Sequence, residues 1–144
     1  MKVDLDYMGK ILSVFIESDR AHATLHDFAE KDLRLENEHG EINQKLLFHI
    51  QIAIDNFFLG TSTSNTIHNL KDIGISTTDT DLSLSIRQIR LTQRGHDFAK
   101  TLQNKEVLIK LKTEFKDAPF NVIFDGGQKL LEHYFKKKLD ALLD

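Results

Sequence analysis

Seven histidines in 144 residues are the first place to look for chemistry. His22 and His26 stand at i, i+4, a spacing that on a helix brings two imidazoles within reach of one metal ion. Asp27 and Glu30 lie nearby, but no acidic residue stands between the two histidines in the zinc-protease pattern, and a third ligand is not evident. No metal site is expected. His49 and His96 each sit beside an apolar residue in an amphipathic pattern and read as half-buried, hydrogen-bonded structural histidines. The chain shows no nucleophile paired with a base, no P-loop, no dinucleotide glycine fingerprint and no paired-carboxylate signature. Asp125-Gly126-Gly127 before a helical pattern suits an anion at a helix N-terminus. Without a following Lys-Ser/Thr it reads better as a turn with an Asp cap. Cysteine is absent, which excludes disulfides, thiolate zinc sites and Cys nucleophiles. The reading is of a non-enzymatic protein without a cofactor.

Recognition chemistry is the alternative. Gln44, Lys45 and Gln51 fall on one helical segment; Gln reads adenine bidentately and Lys meets phosphate or guanine. Arg87, Arg90 and Arg94 follow within a short span, although Arg87 and Arg90 point to opposite faces of a regular strand. A single arginine inserted into a minor groove suits that arrangement better than a continuous clamp. Phe48 and Ile52, one turn apart on the otherwise polar face carrying Gln44 and Lys45, suit contact with another protein or internal packing. Lys136-Lys137-Lys138 spreads around its helix and reads as a favourable helix C-terminal charge. Net charge is −3, and residues 1–60 hold six Lys and Arg against eleven Asp and Glu. That balance opposes simple DNA binding, where phosphate neutralisation supplies much of the affinity.

The elements that must position these residues are read from periodicity. Leu5, Met8, Ile11, Leu12, Phe15 and Ile16 predict a helix over 4–18, with a short helix around Leu25–Ala29. Ile42, Leu46, Ile50, Ala53, Ile54 and Phe57 predict a helix over 41–56. Leu82, Leu84 and Ile86 alternate with Ser83, Ser85 and Arg87, so 66–91 reads as a β-hairpin with its tip near Thr78 to Asp81. Leu91-Thr92-x-x-Gly95 then leaves a strand and opens a helix that breaks near Asn104, with Thr92 as N-cap. Another helix follows from Lys105 to Lys116, and a last one follows the Gly-Gly. The fold class is α+β, mainly helical with a small β-hairpin: a winged helix-turn-helix over 1–104 with a C-terminal helical extension, 105–144, packed on it.

The segments MKVDLDYMGKIL, LLFHIQIAIDNFFL, IRLTQRGHDFAKTLQN and DGGQKLLEHYFKKKL, in that order, resemble the bacterial and prophage family named domain of unknown function 2513. Leu91 to Phe98 is the most specific match and Phe48-His49-Ile50 the next. The chain departs from that family at Phe57, where members usually carry a helix-stopping Gly, and in the Ser/Thr-rich stretch 61–83. The resemblance implies a winged-helix fold and a frequent prophage context, and no activity.

Two partners are therefore expected as alternatives. One is double-stranded DNA, read by Gln44, Lys45, Gln51, Arg87, Arg90 and Arg94 in a small prophage or mobile-element regulator. The other is a second protein, held by Phe48 and Ile52, as in a phage-encoded antagonist of a host system. A homodimer through the C-terminal helices is expected with either. No run approaches the roughly 18 apolar residues of a membrane span, and MKVDLDYMGK lacks a secretory core, so a cytoplasmic location is expected.

Overall fold

Asp4 starts the first helix. Its carboxylate accepts the Tyr7 N–H at 3.0 Å, and α1 (Leu5–Ile16) then buries Leu5, Met8, Ile11, Leu12, Val14 and Phe15 along one stripe. The computed structural model describes residues 1–78 and 81–144, grouped in two units, Met1–His96 and Asp97–Asp144. The chain is mainly helical with two small antiparallel sheets, in agreement with the α+β class.

In the first unit, α1 leads to Ala23, which exchanges both backbone hydrogen bonds with Ile89. A reciprocal Thr24–Asp27 capping box then opens α2 (Leu25–Glu30), satisfying two N–H groups that the helix itself leaves without partners. Phe28 of α2 packs edge-on against Phe15 at 5.4 Å. Asn43 caps α3 (Gln44–Asp55) through the Leu46 N–H, so the helix begins three residues later than the apolar spacing from Ile42 suggested.

Phe57 corrects the expected stripe. It adopts φ 60° and is 62% exposed. Its N–H donates to the Ile54 carbonyl and the Phe58 N–H to the Ala53 carbonyl, the left-handed helix stop at which glycine is usual. His49, read from sequence as half-buried, is fully buried on α3 with Leu46, Ile50 and Ala53.

The strand pairing also differs from expectation. β4 (Ile89–Leu91) pairs with β1 (Leu59–Thr61), in the register Leu59↔Leu91 and Thr61↔Ile89, so β4 lies between β1 and Ala23. The expected single hairpin over 66–91 is instead an excursion between β1 and β4. It contains a 3-10 turn, Leu70–Ile73, and a separate hairpin of β2 (Ile75–Thr77) with β3 (Leu82–Leu84). Of the expected tip, Asp79 and Thr80 lie outside the described residues. Ile86, read as strand, belongs to no strand and is 81% exposed. Pairing follows tertiary register, which alternation alone does not specify. Gly74 fixes the neck of the excursion: its φ is 93°, and a Cβ there would lie 2.1 Å from the Ser85 carbonyl oxygen.

The chain passes into the second unit along α4 (Gln93–Gln103), which is followed by α5 (Lys105–Glu114), capped by Asn104, and α6 (Phe120–Leu143). Phe98 lies 5.4 Å from the Phe120 ring and 5.5 Å from the Phe124 ring. Asp125-Gly126-Gly127, expected as a turn, lies inside α6. Packing overrides propensity here: a Cβ on Gly127 would stand 2.7 Å from Thr101 Cγ2 and 3.2 Å from Leu111 Cδ1. No helix of the described residues is long and apolar enough to cross a membrane.

Candidate functional site

The exposed side of α3 is the candidate surface, and a buried histidine sets its position. The Lys45 carbonyl accepts from His49 Nδ1 at 2.7 Å, so the ring proton resides there and Nε2 accepts the Asp4 N–H at 2.9 Å. One neutral imidazole thus bonds the first turn of α3 to the cap of α1, with the Tyr7 ring edge-on at 4.9 Å.

Lys45, a DNA-binding candidate, belongs to the same knot. Its ammonium lies 3.0 Å from the Asp4 carboxylate and 4.6 Å from the centre of the Tyr7 ring. The Tyr7 N–H, together with Lys45, holds the Asp4 carboxyl below its ordinary value against the opposing effect of burial. Burial pushes the Tyr7 phenol upward.

Two of the other predicted cations, Arg90 and Arg94, are engaged as well. Arg90 turns its Nε to the Thr61 carbonyl at 2.9 Å. Arg94 gives its Nε to the Asn56 carbonyl at 3.0 Å and lies over the Phe58 ring, which satisfies a carbonyl at the end of α3. Arg87 is exposed and lies apart, on a polar cleft. The structure therefore does not gather the three arginines with Gln44, Lys45 and Gln51 into one basic face. Glu36, Glu38 and Glu41, all exposed, precede α3, and Asp55 ends it.

What α3 does gather is a groove of about 430 Å³. Phe48, Ile52 and Ile54 form one wall, with Gln51 and Asp55 at its edge, and residues 68–70 of the excursion form the other. Phe48 and Ile52 are half-buried and the two polar residues exposed. Gln44 is exposed on the same helix. Sequence reasoning found Phe48, Ile52 and Gln51 but missed Leu70, a lone apolar residue in a polar stretch. The available signal was Asn69-x-x-Asp72, the spacing of a short capped turn, and the Asn69 and Asp72 side chains do form that reciprocal cap.

The His22/His26 spacing brings no ligand pair together. His22 precedes α2, so the two are not one turn apart on a helix, and His26 Nε2 faces Glu30 at 3.3 Å. Among the described residues no three His, Asp or Glu side chains are grouped to hold a metal. No family model matches the chain, and neither a curated protein nor a solved structure matches it.

Proposed function

We propose that Met1–His96 is a winged helix serving as a non-enzymatic interaction module, which holds a segment of another protein in the groove between α3 and residues 68–70. The order of elements supports the winged helix. α1, a strand at Ala23, α2, α3, β1 and β4 follow one another, with β4 central and the excursion in the place of the wing. Phe57, where the chain departs from domain of unknown function 2513, holds the left-handed backbone for which Gly is usual. A cytoplasmic location accords with the lack of cysteine.

One observation favours a protein partner over duplex DNA. Lys45, Arg90 and Arg94 are engaged by a carboxylate or by backbone carbonyls, while α3 presents apolar Phe48 and Ile52 beside the exposed carboxylate of Asp55. A basic amphipathic segment complements that surface in charge and hydropathy. DNA readout keeps Gln44 and Gln51 as exposed candidates on α3, and Arg87 as an exposed cation that no ion pair joins to a carboxylate among the described residues. It requires a positive face that this arrangement does not supply.

The test uses the whole chain and a panel of amphipathic helical peptides with Lys/Arg on the polar face, followed by amide chemical shifts. Saturable shifts confined to α3 and residues 68–70, weakened tenfold or more by Phe48→Asp, are expected. Retardation of mixed-sequence DNA at low salt, steeply salt-dependent, together with no saturable shift from any peptide, would replace this reading with the DNA one.

A further inference from the structure

We infer that the cleft at the neck of the excursion is an oxyanion site that takes a phosphate group. This cleft, of about 500 Å³, is separate from the α3 groove apart from His68, which borders both. Lys71 lines it from the 3-10 turn and Arg87 from the irregular segment that leads into β4, with the hydroxyls of residues 61–64 along its edge.

Three observations make this more than scattered surface charge. First, the backbone walls are fixed. A Cβ on Gly60 would lie 2.8 Å from the Ser64 carbonyl oxygen, so residues 61–64 fold closely over β1. The Thr61 hydroxyl oxygen accepts the Ser64 N–H at 3.1 Å and tightens that turn. Second, the stem of Arg87 passes close over Gly74: its Cγ lies 3.3 Å from the position a Cβ on that glycine would take. Third, no ion pair joins Lys71 or Arg87 to a carboxylate among the described residues. The one acid lining the cleft, Asp72, accepts the backbone N–H groups of His68 and Asn69, at 2.7 and 3.4 Å. Against Lys71 and Arg87 it leaves the cleft one positive charge in excess.

Two cations lining one hydroxyl-edged hollow match a phosphate, which accepts several hydrogen bonds and takes charge-assisted ones from Arg and Lys. A nucleic-acid backbone and free phosphate present the same chemistry to the cleft.

The experiment titrates inorganic phosphate into the labelled whole chain at constant ionic strength and follows backbone amide shifts. Saturable shifts at residues 61–66 and at Lys71, with a millimolar midpoint, are expected. Lys71→Ala/Arg87→Ala should raise that midpoint tenfold or more while leaving thermal unfolding unchanged, and Arg87→Lys should recover part of the loss. A mixed-sequence duplex in a second arm names the source. Shifts at the same residues, suppressed by phosphate, assign a nucleic-acid backbone; a duplex without effect assigns free phosphate or a phosphomonoester. No saturable shift with phosphate, or shifts that the double variant leaves unchanged, overturns the assignment. The readout residues lie outside the Phe48 wall, so failure here leaves the protein-docking result standing.

Discussion

Gly126 and Gly127 are neighbours inside α6 with opposite surroundings, and together they measure how tightly α4, α5 and α6 are packed in the second unit. Exchanging either glycine for alanine gains the same helix-propensity term, about 1 kcal/mol. At Gly126 the nearest atoms to a new Cβ are carbons of the Phe115 ring at 3.6 Å, an ordinary contact, so the full gain is expected. At Gly127 the new Cβ falls 2.7 Å from Thr101 Cγ2. Thr101 has little room to yield, because its hydroxyl donates to the Asp97 carbonyl at 3.0 Å and accepts from Gln128 at 2.7 Å. Overpacking of that kind costs about 1–3 kcal/mol, so Gly127→Ala is expected to be neutral or up to about 2 kcal/mol destabilising. The propensity term cancels between the variants, leaving a gap of about 1–3 kcal/mol that is steric alone. Urea unfolding followed by circular dichroism reads it directly. Thr101→Ser keeps the hydroxyl and deletes the offending methyl, so it should rescue Gly127→Ala partially, the Leu111 contact remaining, with a coupling of about 1 kcal/mol in a double-mutant cycle. If Gly127→Ala stabilises as much as Gly126→Ala, or if Thr101→Ser shows no coupling, the close packing argued for α6 is wrong.

Three other perturbations follow from named contacts. Thr92→Val keeps shape but removes a hydroxyl that caps the Gly95 N–H and donates to the Phe57 carbonyl; a loss of about 2 kcal/mol in unfolding free energy is expected. Asp4, whose carboxyl the Tyr7 N–H and Lys45 hold below its ordinary value, contributes stability that is fully present well above the ordinary carboxylate range and is lost as pH falls through the lowered value. Asp4→Asn keeps a capping oxygen and loses the charge, so urea midpoints measured between pH 6 and 2 should flatten at the acid end. On α6, Phe135, Leu139, Leu142 and Leu143 are 53% to 82% exposed, enough to bury roughly 1,000 Å² between two copies, near the lower limit for a specific interface. Sedimentation should therefore show a weak, concentration-dependent dimer that Leu139→Lys dissociates; a wild-type chain monomeric at every concentration would remove the second copy as the cover for this face.

Legibility in the sequence divided along the range of the interaction. α1, α2 and the break at Asn104 were readable because an apolar stripe and a capping side chain lie within a few residues of each other. Thr92 was readable as a cap for the same reason. The partner of β4 was not, since Leu59–Thr61 lies about thirty residues upstream and its choice rests on Gly60 and Phe58 fitting against Arg90 and Thr92. Gly126-Gly127 signals a turn locally, and only the approach of Thr101 and Leu111 shows why glycine stands mid-helix. The groove was half legible: Phe48 and Ile52 stood out as apolar residues on a polar face, whereas the wall from residues 68–70 depends on where the excursion folds back.

The arginines show why composition overstated the charge available for binding. The chain leaves α3 through Asn56, Phe57 and Phe58, whose carbonyls lie where no helical N–H continues to meet them, and Thr92 and Arg94 take all three. Arg94 donates to the Asn56 carbonyl, the Thr92 hydroxyl to that of Phe57, and the Thr92 N–H to that of Phe58. Gly95 completes the clasp, because a Cβ there would lie 2.3 Å from the Phe58 carbonyl oxygen. Leu91-Thr92-x-x-Gly95 therefore fixes the end of α3 against β1 and β4 and recruits a cation to do so. At its other end, Asp4 and His49 fix the first turn and occupy Lys45. With both ends tied, α3 has little freedom to reorient toward a ligand. Binding through it must use the face already presented, Gln44, Phe48, Gln51, Ile52 and Asp55, whose one formal charge is negative.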